Sequence, residues 1–106
     1  MDIPTPSETT YTIYSKSGCA YCEKAKAALA VNGLEYIEVN CDTYLAEDRQ
    51  LFLDGMKMLT GKDYRTFPMT FVRGEFLGGY VELRAHLDAE EKVSSAAAHL
   101  SFTNAF

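Results

Sequence analysis

The amino-acid sequence predicts an α/β protein built on one mixed, four-stranded sheet flanked by helices, in the order β-α-β-α-β-β-α. Three observations carry that expectation. Short β-branched and aromatic runs recur along the chain, apolar stripes of helical period separate them, and glycine or proline stands at most junctions.

The elements follow in order. Residues Met1 to Glu8, with Pro4 and Pro6 among small polar side chains, read as a flexible tail ahead of a domain over residues 9–106. Thr10-Tyr11-Thr12-Ile13-Tyr14-Ser15 favours a strand. Ser17-Gly18 breaks that run and offers a capping side chain to the next element. From Cys22 onward, Ala25 and Leu29 recur at helical spacing among good helix formers, and Asn32-Gly33 ends the helix. Tyr36 to Asn40 is a second strand. Leu51, Phe52, Met56 and Leu59 form the stripe of a second helix, closed by Gly61. After Pro68, Met69 to Val72 reads as a strand, turned by Arg73-Gly74 into Glu75-Phe76-Leu77. Gly78-Gly79 ends that hairpin, and Tyr80, Leu83 and Leu87 line a third helix. Val93, Ala97 and Leu100 suggest a helical C-terminal extension over residues 90–106. The first β-α-β unit should pair its strands in parallel through a right-handed crossover, while the hairpin adds antiparallel strands.

Composition narrows the function classes. A chain of 106 residues with 47% apolar side chains is the size of one domain with a real core. A formal net charge of −5, with no basic run, argues against nucleic acid and against a polybasic membrane surface. Nothing is apolar enough to cross a bilayer, and Met1-Asp2-Ile3-Pro4 lacks the pattern of a secretory signal. The three cysteines, Cys19, Cys22 and Cys41, include a C-x-x-C pair, and an odd count does not suggest an extracellular disulfide framework. A reducing, cytoplasmic setting is expected.

That pair carries the chemistry. Cys19 falls at the junction of the first strand and first helix, where the opening amides have no intrahelical acceptor. Those N–H groups and the helix dipole favour a thiolate, and Lys16 adds positive charge nearby. An unperturbed thiol of pKa about 8.5 is only about 3% ionised at pH 7. A lower pKa raises that fraction but also lowers nucleophilicity, so the clearer gain is in making Cys19 a good leaving group. The alternative is a zinc site, but Cys41, His86 and His99 form no second ligand pair. A C-x-x-C beside a β-α-β pattern points to redox chemistry. Cys41, ending the second strand, reads as a small buried hydrophobe, and no motif surrounds His86 or His99.

The segment Tyr14-Ser15-Lys16-Ser17-Gly18-Cys19-Ala20-Tyr21-Cys22 resembles the active site of the glutaredoxin family. Thr66-Phe67-Pro68 resembles the family's Thr-Val-Pro loop, and Gly78-Gly79 its double glycine, so the likeness spans about residues 10 to 89. It implies a thioredoxin-like fold, a cis peptide bond before Pro68, and glutathione as co-substrate. It further implies an enzyme that reduces protein–glutathione mixed disulfides and protein disulfides, attacking through Cys19 and resolving through Cys22.

The same resemblance implies a ligand set. Lys16 would meet the glycine carboxylate of glutathione, with Arg65 a candidate for the same task, and Tyr21 would wall the site. The backbone of Phe67, extended by the following proline, could pair with the tripeptide beside Thr66. Gly79 and the backbone of Val81 would offer helix-start amides to the γ-glutamyl carboxylate. Glu82 stands where the family usually has an aspartate for the amino group; its plainer role is a first-turn acid complementing the dipole. Two alternatives remain open at this point. One is a dimer holding a [2Fe–2S] cluster through Cys19 and glutathione, where Ala20 replaces the proline that hinders this. The other is a thioredoxin-like disulfide reductase, although the Trp-Cys-Gly-Pro-Cys segment is missing. A monomer acting on disulfide-bearing or glutathionylated proteins is the expectation.

Overall fold

The computed structural model describes residues 1–90. Its elements are β1 (Tyr11–Ser15), α1 (Ala20–Val31), β2 (Tyr36–Asn40), α2 (Asp42–Thr60), β3 (Met69–Val72) and β4 (Glu75–Gly78). A third helix, α3, occupies residues 80–90. The expected helix through Val93, Ala97 and Leu100 lies outside the described residues.

The strands form one sheet in the order β2-β1-β3-β4. β1 runs parallel to β2, with Tyr11 opposite Tyr36 and Ser15 opposite Asn40. β1 is antiparallel to β3, and β3 to β4, with a register shift at Thr70/Phe71. Position in the sheet explains the side chains. The central strands β1 and β3 are buried almost throughout, whereas β2 and β4, at the edges, expose part of their length.

Alternation along β1 divides the core in two, because successive side chains point to opposite faces. Tyr14 joins Val39, Phe52, Met56, Met69 and Phe71 on the face covered by α2. Ile13 joins Ala25, Leu29, Leu83 and Leu87 on the face covered by α1 and α3. A further tie comes from Glu38 of β2, which accepts hydrogen bonds from Ser15 Oγ at 2.6 Å and Lys26 Nζ at 2.9 Å. Tyr11 of β1 and His86 of α3 meet at 3.1 Å between hydroxyl and Nε2, so His86 has a structural partner that no motif announced.

Helix α1 ends as its sequence requires. Gly33 takes φ 67°, and the Leu34 N–H reaches back to the Leu29 carbonyl at 3.0 Å. Helix α2 is longer than its apolar stripe predicts, starting at Asp42 and not near Leu51. It consists of two helical segments broken at Asp48 (φ −160°, ψ 96°), whose side chain accepts the Leu51 N–H at 3.0 Å and so starts the second segment. The stripe marks that second segment alone. In the first segment only Tyr44 and Leu45 pack against the core, too few to show a period.

The reading of residues 1–8 as a loose tail needs correction. They form no helix or strand, but Ile3 packs against the α2-side core, above Gly55. The Tyr14 hydroxyl donates to the Pro4 carbonyl at 2.5 Å, and the Ser7 N–H donates to Thr12 Oγ1 at 2.9 Å.

Candidate functional site

Cys19 is the N-cap of α1. Its backbone is extended (φ −107°, ψ 103°) and its Sγ accepts the Cys22 N–H at 3.1 Å. The sulfur itself therefore satisfies one of the orphan amides at the helix start, the arrangement that favours negative charge on it. Cys19 and Cys22 are paired as a disulfide, their Cα atoms 5.2 Å apart. The two sulfurs are not equivalent: Cys19 is partly exposed, while Cys22 is fully buried.

Ser17 does not cap α1, as the sequence suggested it would. Its N–H donates to Asp42 Oδ1 at 2.9 Å, and its hydroxyl donates to the other carboxylate oxygen. Asp42 opens α2, so this contact ties the loop before Cys19 to the far helix. Those hydrogen bonds hold the Asp42 carboxyl below the usual aspartate range, with Lys16 contributing in the same direction.

Beyond the cysteines lies an open groove of about 260 Å³. Tyr21 of α1 forms one wall, Thr66, Phe67 and Pro68 another, and Gly79, Val81 and Glu82 a third. The Phe67-Pro68 peptide bond is cis, as the resemblance implied. The structure thus brings together most of the residues singled out from the sequence. Lys16 stands at the edge, exposed, with Nζ 5.6 Å from the centroid of the Phe67 ring. Arg65 is not brought to the groove. Its guanidinium is held by Asp63, Nε to Oδ1 at 3.0 Å, on the exposed side of the loop.

Phe67 is fixed from below. Its ring stacks on Phe52 at 6.1 Å between centroids, and Phe52 stacks on Tyr44 at 5.9 Å. Tyr44, in the segment of α2 that its sequence did not announce, thereby supports the wall of the groove.

The double glycine has a specific steric reason at each position. Gly78 has φ 135°, and a Cβ there would meet the Glu82 side chain at 2.6 Å. A Cβ on Gly79 would stand 2.8 Å from the Tyr64 hydroxyl. Glu82 turns back on its own helix, its Oε1 accepting the Gly79 N–H at 2.7 Å. That is one half of a capping box. It corrects the expectation that the Gly79 amide is free; because Leu83 N–H is the first to bond within the helix, to Gly79 C=O at 3.0 Å, the open amides are those of the first turn, Tyr80 to Glu82.

Two groove residues were missed from the sequence. Tyr80, read only as part of an apolar stripe, lines the groove with its ring 5.9 Å from that of Tyr21. Tyr64, in the loop before Arg65, carries no periodicity, and its one signal is being aromatic beside the Thr-Phe-Pro block. Cys41 is fully buried, and burial pushes its thiol up to about 12, so it is inert as a nucleophile at neutral pH. Among the described residues, no three His, Cys, Asp or Glu side chains gather as a metal-binding group.

Comparison with known proteins agrees with this geometry. The family model described as Glutaredoxin matches residues 11–77. Mitochondrial glutaredoxin-2 of Homo sapiens is 37% identical over 75 residues, covering 71% of this chain and 43% of that protein. The chain therefore spans less than half the length of that curated relative. Glutaredoxin 1 from Francisella tularensis, solved with cacodylate, superposes with a TM-score of 0.67 at 31% identity, over 77% of this chain and 95% of that one. The buckwheat glutaredoxin–glutathione complex superposes with a TM-score of 0.62 at 25% identity, over 78% of this chain and 73% of that one. The mixed sheet and its flanking helices are the thioredoxin-like architecture of those structures. With its sulfur-capped first helix, its cis-proline wall and its double glycine, the chain belongs to the glutaredoxin family, whose members are in general glutathione-dependent thiol oxidoreductases.

Proposed function

We propose that this chain reduces protein–glutathione mixed disulfides, and protein disulfides as a second substrate class, through the Cys19 thiolate. The observation that carries the reading is the inequality of the two sulfurs: Cys19 caps α1 and reaches solvent, while Cys22 is buried one turn on. Only Cys19 can begin an exchange with another molecule.

The Cys19 thiolate attacks the glutathione sulfur of a mixed disulfide, the S–S bond breaks, and the protein leaves as a thiolate that takes up a proton. Cys19 is then glutathionylated. A second glutathione thiolate attacks that glutathione sulfur, giving oxidised glutathione and regenerating Cys19. The helix-start amides that stabilise the Cys19 anion make it a good leaving group in this second step. With a protein disulfide, Cys19 forms the mixed disulfide and Cys22 displaces the substrate by closing the Cys19–Cys22 bond.

The groove supports the glutathione reading. Phe67, which the following proline biases toward extended backbone, would offer its backbone groups to an extended tripeptide. The first-turn amides of α3 suit a carboxylate, and Lys16, beside the Phe67 ring, would meet a second one. Arg65, paired with Asp63, is not needed for it. The proposed setting is cytoplasmic and the proposed state monomeric.

The test is turnover with a glutathionylated peptide and glutathione, against the same assay driven by thioredoxin reductase. Cys19→Ser should fall to background, and Cys22→Ser should keep deglutathionylation while losing protein-disulfide reduction. Turnover with thioredoxin reductase alone would transfer the chain to the thioredoxin-like alternative. A coloured dimer after anaerobic reconstitution with iron, sulfide and glutathione would favour the cluster-binding one.

A further inference from the structure

Four aromatic rings line the groove, and one of them has no role in the reading above. Tyr64 sits in the loop between α2 and Pro68, and that loop is held by its own contacts. Gly61 ends α2 with φ 75°, Thr60 Oγ1 donates to the Lys62 carbonyl at 2.9 Å, and the Tyr64 N–H donates to the same carbonyl at 2.9 Å. The Tyr64 ring meets Phe76 of β4 edge-on, centroids 5.0 Å apart. Packing thus fixes the ring and directs the hydroxyl to the start of α3, where only the missing Cβ of Gly79 leaves room for it, 2.8 Å from where that atom would be. Among the described residues no group exchanges a hydrogen bond with this hydroxyl, and it borders the same groove as Tyr80, Val81 and Glu82.

We propose that Tyr64 is a specificity-determining residue whose hydroxyl donates to the α-carboxylate of a ligand's terminal amino-acid end, seated over the first-turn amides of α3. The assignment rests on the glutathione reading and deepens it by naming the end of the tripeptide that Tyr64 selects. The chemistry fits one class of ligand. A carboxylate can accept from the amides of Tyr80 and Val81 and from the Tyr64 hydroxyl together, while the second oxygen of Glu82, not used on Gly79, can accept from a neighbouring ammonium. Carboxylate and ammonium on one carbon are a free α-amino acid, as at the γ-glutamyl terminus. A hydroxyl on a fixed ring loses little freedom in making that bond.

The experiment compares wild type and Tyr64→Phe with glutathione and with its decarboxy analogue, in which the γ-glutamyl α-carboxylate is replaced by hydrogen. Tyr64→Phe keeps the ring on Phe76, so its unfolding midpoint should match wild type. Its KM for glutathione should rise about ten- to a hundredfold with kcat within about twofold, the loss expected for one hydrogen bond to a charged acceptor. With the decarboxy analogue the two proteins should differ by less than about twofold. A Tyr64→Phe protein with wild-type KM for glutathione, or with the same penalty on both ligands, overturns the assignment while leaving the glutathione reading standing. A wild-type protein that ignores glutathione overturns both.

Discussion

Two helices begin at the groove, and they are capped by different chemistry. At α1 the cap is a sulfur, Cys19 Sγ on the Cys22 N–H at 3.1 Å. At α3 the cap is a carboxylate from within the helix, Glu82 Oε1 on the Gly79 N–H at 2.7 Å. The same unsatisfied amides serve two ends. In the proposed reaction those of α1 sit against an atom that leaves and returns during exchange, so there they would act on the chemistry. Those of α3 belong to a surface whose remaining amides would, on the same proposal, hold a ligand and so act on binding. What sets the α1 start apart is that its cap is itself a potential nucleophile.

Substitutions at the two ends should therefore separate kcat from KM. The largest effect is at α1, where Cys19→Ser abolishes turnover whatever the concentration of glutathione. Next comes Gly78→Ala at the approach to α3, where the new methyl meets Glu82 at a φ of 135°. It should cost about 1–3 kcal/mol, seen as a lower urea midpoint, and raise KM with kcat nearly unchanged. A fall in kcat alone would erase the distinction between the ends. Smaller still, Glu82→Ala removes the cap and should cost about 0.5–1 kcal/mol. Glu82→Gln keeps an acceptor for Gly79, so stability should hold while KM for glutathione rises; an unchanged KM in the Gln variant would leave Glu82 a cap and nothing more.

The smallest effect concerns acid. Asp42 has its pKa lowered in the folded chain, chiefly by the Ser17 hydroxyl. The folded state therefore gains stability above the ordinary aspartate pKa of about 3.9, and that gain is lost as pH falls through the lower folded value. Asp42→Asn should flatten the acid limb of a stability–pH curve below about pH 4 and leave the neutral region nearly unchanged. An acid limb identical to wild type would mean that the loop before Cys19 does not depend on this contact.

The sequence made the α1 end far more legible than the α3 end, for a physical reason. A C-x-x-C pair after a strand has few structural uses, so its spacing and place already pointed to redox chemistry at Cys19 and Cys22. Strands β2 and β3 were readable to the residue because β-branched and aromatic runs bounded by breakers leave little choice. Glu82 was undecidable, since an acid in a first turn suits both a cap and a ligand. Tyr64 was unreadable because its neighbours Phe76 and Gly79 are distant in sequence, and Tyr44 because the break at Asp48 interrupts the helical period that would link it to Phe52. Ile3 was hidden by the prolines and polar residues around it, which describe a chain without regular structure and say nothing of where it docks.

The column Tyr44–Phe52–Phe67 has a thermodynamic consequence. A peptide that docks beside Phe67 must surrender its own rotational freedom, but the surface it meets has already given up its share during folding. Ordering a mobile side chain at the moment of encounter costs about 0.5–1.5 kcal/mol each time. Here that expense falls once, when the hydrophobic interior assembles, and on the proposed function would not recur in each cycle.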